Sequence, residues 1–394
     1  MAQRQDLAGA LEVLFVINSL APGGTEQSTL LLAERLMPLG VRTTVVTLKS
    51  APHQLNARAE SSGIPVVELL ASGFLGKLRE LRALIRARRP AVVHTALFDA
   101  DQLGRLAAWG TGVPVISSLV STPYDPARLG DPMVSRWRLR LVQVVDAVTG
   151  RLCTTAFHSV SEGVKRSNAE ALHLPIGRIH VAERGRDMAE LGGCSVERRS
   201  RVRSSLGIDD SAPVLLNLGR QEHQKAQSDL IAATGLLVGR FPEIVLLIAG
   251  KEGSATSTLA NALDQTPDAA KHVRLLGHRT DIGDLLCAAD VLAISSHLEG
   301  TAGVALEAMA LGTPVLSTRL RGLEGILEHD VNAWLVPAAQ PVALADGVAE
   351  LLENQSLRQR LADRGLQDFD DRFTLDAAAE RMARLYEEVS RSPR

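Results

Sequence analysis

The chain has 394 residues, enough for two domains of ordinary size with a core in each. Hydrophobic residues make up 45% and charged residues 22%, a globular composition that excludes a disordered chain. A formal net charge of −2 and an aromatic content of 3% supply neither a basic field nor a base-stacking platform, so nucleic acid is excluded as the main partner.

Cys153, Cys194 and Cys287 are far apart and odd in number, with no C-x-x-C. They are expected to be reduced thiols of a cytoplasmic protein. The opening MAQRQDLAGALEVLFVI carries Asp6 and Glu12 beside its apolar run and lacks a small-residue cleavage site, so no signal peptide is expected. No apolar run reaches the roughly 18 to 20 residues that span a bilayer.

In chain order, Glu12 to Ile17 reads as a first strand, followed by the loop NSLAPGGTEQ and a helix from Glu26 to Pro38. Val41 to Leu48 is β-branched and reads as a second strand, Ile64 to Glu68 as a third. A basic helix from Leu78 to Arg88 closes at Pro90. Ala91 to Thr95 and Val113 to Ser118 are two further strands, with a helix from Asp101 to Trp109 between them. Met133 to Val148 reads as a long helix and Thr154 to Val160 as a strand. Ser161 caps a helix through Leu172, and Arg178 to Ala182 is a last short strand. Strands alternating with helices at this spacing indicate a parallel sheet covered on both faces.

From Met188 to Pro213 the pattern loosens into a glycine pair, a charge run and Asp-Asp-Ser-Ala-Pro, the marks of a domain junction. ERRSRVR within it is expected to be a solvated helix face. A second alternating series follows: strands at Val214 to Leu218, Ile244 to Ala249, Val273 to Leu276, Val291 to Ser295 and Ala333 to Val336, then helices from Val342, Ser356 and Thr374. The fold class is α/β, with two open parallel-sheet domains facing across a cleft. The expected division is 1–190, 191–374, and a last helix at 375–394 packing back toward the first domain. Ligands of such sheets sit beyond the carboxyl ends of the strands. Gly23, Gly24, His94, Arg220, Lys225, Gly250, His278 and Glu299 should therefore line the cleft.

Asp290 to Ser317 reads strand, turn, helix, strand. Its turn holds Glu299, Gly300, Thr301, Ala302 and Gly303, and Glu307 follows in the helix. Small residues let a ligand approach the backbone, and the free amides of a helix start attract an anion. A carboxylate on either side suits a phosphate that carries sugars, one Glu for a ribose and the other for a hexose.

Together, APGGTEQ, LGRQEHQKAQSDLIAA, LIAGKEG, VRLLGHRTDIGDLLCAADVLAISS and LEGTAGVALEAMALGTPVLST resemble the retaining glycosyltransferases of family 4, which have the GT-B architecture of two Rossmann-like domains. The resemblance is closest from Val214 to Leu351. It implies that Glu299 lies near the donor sugar, that Glu307 binds ribose, and that the amides of Thr301, Ala302, Gly303 and Val304 cradle phosphate. Arg220 and Lys225 would neutralise the departing diphosphate. Gly23 and Gly24 would admit donor phosphates or acceptor, and His94 would orient the acceptor or take its proton.

Three departures stand out. Ala226 replaces a usual glycine, no His occurs in Ser117 to Ser121, and Arg321-Gly322 replaces a Gly-Gly turn. Asp99-Ala100-Asp101 is a D-x-D, read as a helix start and not as a metal site. Basic residues cluster at Lys77, Arg79, Arg82, Arg86, Arg88, Arg89, Arg136, Arg138 and Arg140, the last three around Trp137. They suit either a solvated face or an anionic lipid surface.

The resulting expectation is a metal-independent, retaining enzyme that moves a hexose-type sugar from a UDP-, GDP- or ADP-sugar to a hydroxyl acceptor. The acceptor is a carbohydrate or is lipid-linked, and the enzyme works in the cytoplasm, at the inner face of the plasma membrane if it meets a membrane. No bound cofactor or metal is required. The alternatives are a nucleotide-sugar-binding protein without transfer, motivated by the absent His, and a nicotinamide oxidoreductase. The latter is disfavoured because no G-x-G-x-x-G follows either first strand.

Overall fold

A computed structural model describes residues 10–21, 23–50, 54–131, 133–300 and 303–391. In chain order the first elements are β1 (Leu11–Ile17), α1 (Gly24–Leu36), β2 (Val41–Thr47), α2 (Gln54–Ser61), β3 (Val66–Glu68), α3 (Gly73–Arg88), β4 (Val92–Ala96), α4 (Phe98–Ala108), β5 (Val115–Leu119), α5 (Arg136–Cys153), β6 (Ala156–Ser159), α6 (Glu162–Leu172) and β7 (Ile179–Val181). Next come α7 (Met188–Leu191), α8 (Val196–Ser205), β8 (Val214–Leu218), α9 (Gln227–Leu237), β9 (Val245–Ala249), α10 (Thr256–Gln265), α11 (Pro267–Ala270), β10 (Val273–Gly277), α12 (Ile282–Ala288), β11 (Val291–Ile294), α13 (Gly303–Ala310), β12 (Val315–Thr318) and β13 (Trp334–Val336). Helices α14 (Pro341–Glu353), α15 (Gln355–Asp368) and α16 (Leu375–Arg391) follow.

Two compact units result. The first takes in the chain up to Asp125, Val134–Gly185 and the chain from Leu375; the second takes in Pro126–Met133 and Arg186–Thr374.

In the first unit seven parallel strands run in the order β3-β2-β1-β4-β5-β6-β7. Alternation along β1 assigns its two faces. Leu14 and Val16 pack with Leu81 and Ile85 of α3 and Leu103 of α4. Val13 turns the other way, to Leu36 of α1 and Met382 and Tyr386 of α16. Both faces are covered, so the strand interior is apolar throughout, and Leu14→Ala would cost about 2–5 kcal/mol. Ser161 caps α6 by accepting the Val164 N–H at 3.0 Å.

The second unit has six parallel strands in the order β10-β9-β8-β11-β12-β13. Leu216 and Leu218 pack with Leu285, Leu306 and Met309, while Leu215 faces Leu230, Ile231, Leu344 and Val348. Counted within the unit, this is the Rossmann order 3-2-1-4-5-6, whose reversal lies between β8 and β11.

The structure corrects two sequence readings here. The stretch expected to be a solvated charge run forms α8 and turns inward. Arg203 is 0% exposed. Its guanidinium donates to the carbonyls of Ala288, Asp210 and Ala212 and pairs with Asp290 at 2.9 Å. Arg199 takes the carbonyls of Cys287 and Ala289. A guanidinium fork satisfies several orphan carbonyls at once, here at the end of α12, and so an arginine-rich helix can face a core. Cys194 and Cys287 are joined by a disulfide across 93 residues of sequence, against the expectation of reduced thiols; Cys153 is free. Sequence spacing carries no signal for such a pairing, and here the same α8–α12 packing brings the two cysteines together.

Candidate active site

The end of β8 continues into Gly219–Lys225 and the end of β11 into Ser295–Gly300, so the two loops meet where the strand order reverses. Their backbones are tied. The His297 N–H donates to the Gln224 carbonyl at 2.8 Å, and the Ser295 hydroxyl donates to the Lys225 carbonyl at 2.9 Å. Asp229 accepts from His297 at 2.8 Å and raises its pKa, so His297 also braces the start of α9. Held in this way, Lys225 Nζ meets Glu299 Oε1 at 2.5 Å, and the Ser296 hydroxyl donates to the same oxygen at 2.7 Å. The two side chains are 20% and 10% exposed.

Close backbone approach is built in around this pair. A Cβ on Gly250 would lie 1.9 Å from the Gly219 carbonyl oxygen, and one on Gly322 would lie 1.9 Å from that of Glu299. Of the Arg321-Gly322 departure, only position 322 lacks room; Arg321 is exposed, and the substitution is therefore tolerated. Ala226 is buried with φ +45°, so the backbone keeps the left-handed conformation that a glycine would favour, at a cost of about 1–2 kcal/mol.

Arg220 extends outward, 67% exposed, with Glu222 at 3.2 Å. His278 is exposed just past β10, and Gly250 joins that edge through its N–H on the Gly277 carbonyl at 2.7 Å. Thr301 and Ala302 lie outside the described residues. Gly303 opens α13, Val304 follows it, and Glu307 stands one turn on.

Glu307 is held by a residue that sequence reading missed. Arg186 Nε donates to Glu307 Oε1 at 2.7 Å, with side-chain exposures of 14% and 17%. Its guanidinium lies over the helix start: a Cβ on Gly303 would fall 1.8 Å from Nη2. The Arg186 N–H is fixed by the Phe373 carbonyl at 2.9 Å. Glu299 and Glu307 are thus each paired with a cation of their own, Lys225 and Arg186.

In the first unit, Gly23 precedes α1 in extended backbone, and nothing lies within 4 Å of a Cβ placed on Gly24. Arg184 donates to the Thr25 hydroxyl beside this helix start at 3.1 Å. A mostly apolar pocket lies behind it, lined by Thr25, Ser28, His94, Ser118, His158 and Arg184 among others.

His94 does not fit the proton-transfer role expected of it. It is 1% exposed and both ring nitrogens are bonded. Only one tautomer assignment closes the chain of bonds. Tyr386 donates to His94 Nδ1 (2.6 Å), His94 Nε2 donates to Ser118 (2.7 Å), Ser118 donates to His158 Nδ1 (2.7 Å), and His158 Nε2 donates to the Ala182 carbonyl (2.8 Å). Burial holds both imidazoles neutral, lowering the pKa of His94 well below its usual value and that of His158 to about 4. Histidines from β4 and β6 thus converge on Ser118, in the stretch Ser117 to Ser121 that itself holds no His.

Asp101 of the D-x-D accepts from the Thr95 hydroxyl at 2.5 Å. Burial pushes its carboxyl up to about 7 against the pull of Arg105. Asp101 thus belongs to the interior of the first unit, and no group of three or more His, Cys, Asp or Glu with metal-holding geometry occurs among the described residues.

Two Rossmann-type units, the second with a carboxylate-cation pair at its switch point, place the protein in the GT-B class of glycosyltransferases. The profile described as Glycosyl transferases group 1 matches residues 198–368, and that of the Glycosyl transferase 4-like domain matches residues 23–185. A D-inositol 3-phosphate glycosyltransferase of Xylanimonas cellulosilytica is 30% identical over 315 residues, covering 76% of this chain and 72% of its own. A phosphatidyl-myo-inositol mannosyltransferase of Mycobacterium leprae is 28% identical, with 94% of each chain covered. Among solved structures, Anabaena HepE in complex with UDP superposes with a TM-score of 0.83 at 20% identity, covering 96% of this chain and 100% of that one. The chain belongs to the group 1 glycosyltransferases of family 4 type.

Proposed function

We propose that this glycosyltransferase is retaining and metal-independent, and that it moves a hexose-type sugar from a nucleotide diphosphate sugar to a hydroxyl acceptor. The observation that carries the reading is the Lys225–Glu299 pair at the β8–β11 switch point, beside the start of α13. The donor's diphosphate takes Arg220, Lys225 and the first amides of α13. Glu299 holds the sugar and Glu307 the ribose. As the bond from the anomeric carbon to the phosphate oxygen breaks, the acceptor hydroxyl bonds that carbon on the same face, and its proton passes to the departing phosphate. The two cations oppose charge that grows in the transition state, the task a divalent ion performs in other transferases. No enzymatic nucleophile is required, and neutral, doubly bonded His94 is left out of the proton transfer.

The UDP bound to Anabaena HepE favours a UDP-sugar over GDP- and ADP-sugars. The inositol-based names of the relatives favour a polyol phosphate or lipid-linked acceptor, in polysaccharide, lipopolysaccharide or glycolipid synthesis at the inner face of the plasma membrane. The acceptor is assigned to the first unit and the donor to the second.

Thermal-shift measurements against UDP-, GDP- and ADP-sugars identify the donor. Transfer with that donor, in the presence of a chelator, tests metal independence, and NMR of the product reads the anomeric configuration. Lys225→Ala should lower kcat by about 10²–10³-fold, while stability falls by only the roughly 1–2 kcal/mol of the partly buried Lys225–Glu299 pair and the chain still folds. Transfer at close to the parent rate in that variant would remove the assigned role.

A further inference from the structure

Helix α5 is built inside out. Its buried positions are polar or small. Asp146 pairs with Arg105 at 2.5 Å and accepts from Tyr124 at 2.8 Å; Gly150 is also buried; and the partly buried Gln143 donates to the Ala171 carbonyl. Its outward face is apolar. Trp137, Leu141, Val144, Val145, Val148 and Leu152 are between 38% and 69% exposed and fall on one stripe at helical spacing. A helix in water turns such a stripe inward, so this one is made to be covered.

The cations beside the stripe indicate what covers it. Arg136, Arg138, Arg140 and Arg151 are exposed along its margins, and the one acid of the helix, Asp146, faces the interior. Arg136 and Arg140 have no ion pair or hydrogen bond among the described residues, and Arg138 lies over the Trp137 ring at 5.4 Å. Three cations of the cluster on α3 are engaged elsewhere. Lys77 donates to the Leu48 carbonyl, Arg82 to those of Leu106, Ala107 and Trp109, and Arg88 to Glu12 and Thr44. On α5, cations without an ion-pair partner among the described residues thus flank an exposed apolar stripe that runs the length of the helix.

We propose that α5 is a docking helix for an anionic lipid surface, lying in the interface with Trp137, Leu141 and Val148 among the acyl chains and its arginines at the headgroups. At 18 residues it extends about 27 Å along the membrane plane. No described helix is long and apolar enough to cross a membrane. A second copy of the chain is the poorer occupant, because two-fold pairing along the stripe would set the arginines of the two copies against one another. The proposal deepens the lipid-linked acceptor reading above and rests on it only for its purpose. Vesicle binding is measured without donor or transfer, so the two readings fail separately.

The test is co-sedimentation of the full chain with vesicles of phosphatidylglycerol and phosphatidylcholine in equal parts, and with phosphatidylcholine alone. Binding to the anionic vesicles is expected to be about tenfold or more tighter, and to weaken as salt rises from about 0.1 to about 0.5 M. The variant Trp137→Ser/Leu141→Ser/Val148→Ser should lose about tenfold or more while keeping its melting temperature, since these side chains face solvent. Arg136→Gln/Arg140→Gln should lose the salt dependence. Trp137→Phe should abolish the lipid-induced shift in tryptophan emission. Absence of binding to anionic vesicles, or binding that the triple variant leaves intact, overturns the proposal. So does a dimer in solution that the triple variant dissociates while neither protein binds vesicles, which would make the stripe a self-association face.

Discussion

Replacing Glu299 by Gln isolates the charge of the site from its shape. The amide oxygen of Gln can still accept from Lys225 Nζ and the Ser296 hydroxyl, which reach Glu299 Oε1 at 2.5 and 2.7 Å. What disappears is one negative charge. Exposures of 10% and 20% place the pair between a surface bridge and a fully buried one, so folding stability should fall by about 1–2 kcal/mol. Nucleotide affinity should move the other way. A carboxylate roughly 5 Å from an incoming diphosphate, at an effective dielectric constant of about 40, repels each negative charge of it by about 1.7 kcal/mol, so its removal should tighten nucleoside diphosphate binding about tenfold or more. Transfer should nevertheless slow about a hundredfold, because the group facing the donor sugar is lost. Calorimetric titration with UDP, with GDP and ADP as controls, combined with initial rates, reads both quantities. Weaker or unchanged diphosphate binding, or an undiminished kcat, would refute the assignment.

Other perturbations test other parts of the structure. In a double-mutant cycle, Arg186→Met and Glu307→Gln should show a coupling of about 1–2 kcal/mol in urea unfolding; additivity within about 0.3 kcal/mol would mean that the pair contributes nothing. Gly250→Ala should destabilise by about 1–3 kcal/mol or more, because its Cβ meets the Gly219 carbonyl, whereas Ala226→Gly should raise the melting temperature by relieving a left-handed alanine. Thiol titration of the unfolded, unreduced chain should find one free cysteine, and three after reduction; three before reduction would exclude the Cys194–Cys287 bond. His158 has a folded pKa lowered to about 4, so the unfolded chain binds the extra proton. The stability it contributes is complete above about 6.5 and drains away as pH falls toward 4. His158→Gln should flatten the decline of the urea midpoint over that window, and an unaltered slope would argue against the neutral chain.

Much of this architecture could be read before any coordinates. β-branched runs closed by Gly and Pro placed the strands to within a few residues, because a strand buried on both faces has little choice of composition. The placing of Glu299 after β11 and of Glu307 in α13 was legible because the small residues between them mark the turn into a helix. What escaped reading was set by packing between distant segments. Arg203 reads as a surface cation until α8 is laid against α12, whose carbonyls consume its donors. Arg186 sits in an unremarkable Arg-Gly-Arg-Asp, and only the fold brings it to Glu307, 121 residues further on. His94 reads as a strand-end functional histidine, but its partners Tyr386 and His158 lie too far along the chain for any local pattern to pair them. Helix α5 was visible as basic but not as inverted, since its periodicity does not say which stripe faces the sheet.

Helix α16 imposes an order on biogenesis. Met382, Leu385, Tyr386 and Val389 complete the layer over Val13, Val92 and Ile116, yet the ribosome adds them only after the whole of the second unit. During synthesis the first sheet therefore waits with part of one apolar face uncovered and His94 lacking its phenol until the whole of the second unit has been made. A chain stalled or released before α16 would present that gap to chaperones and proteases, so a helix made after the second unit acts as the latch on the sheet made before it.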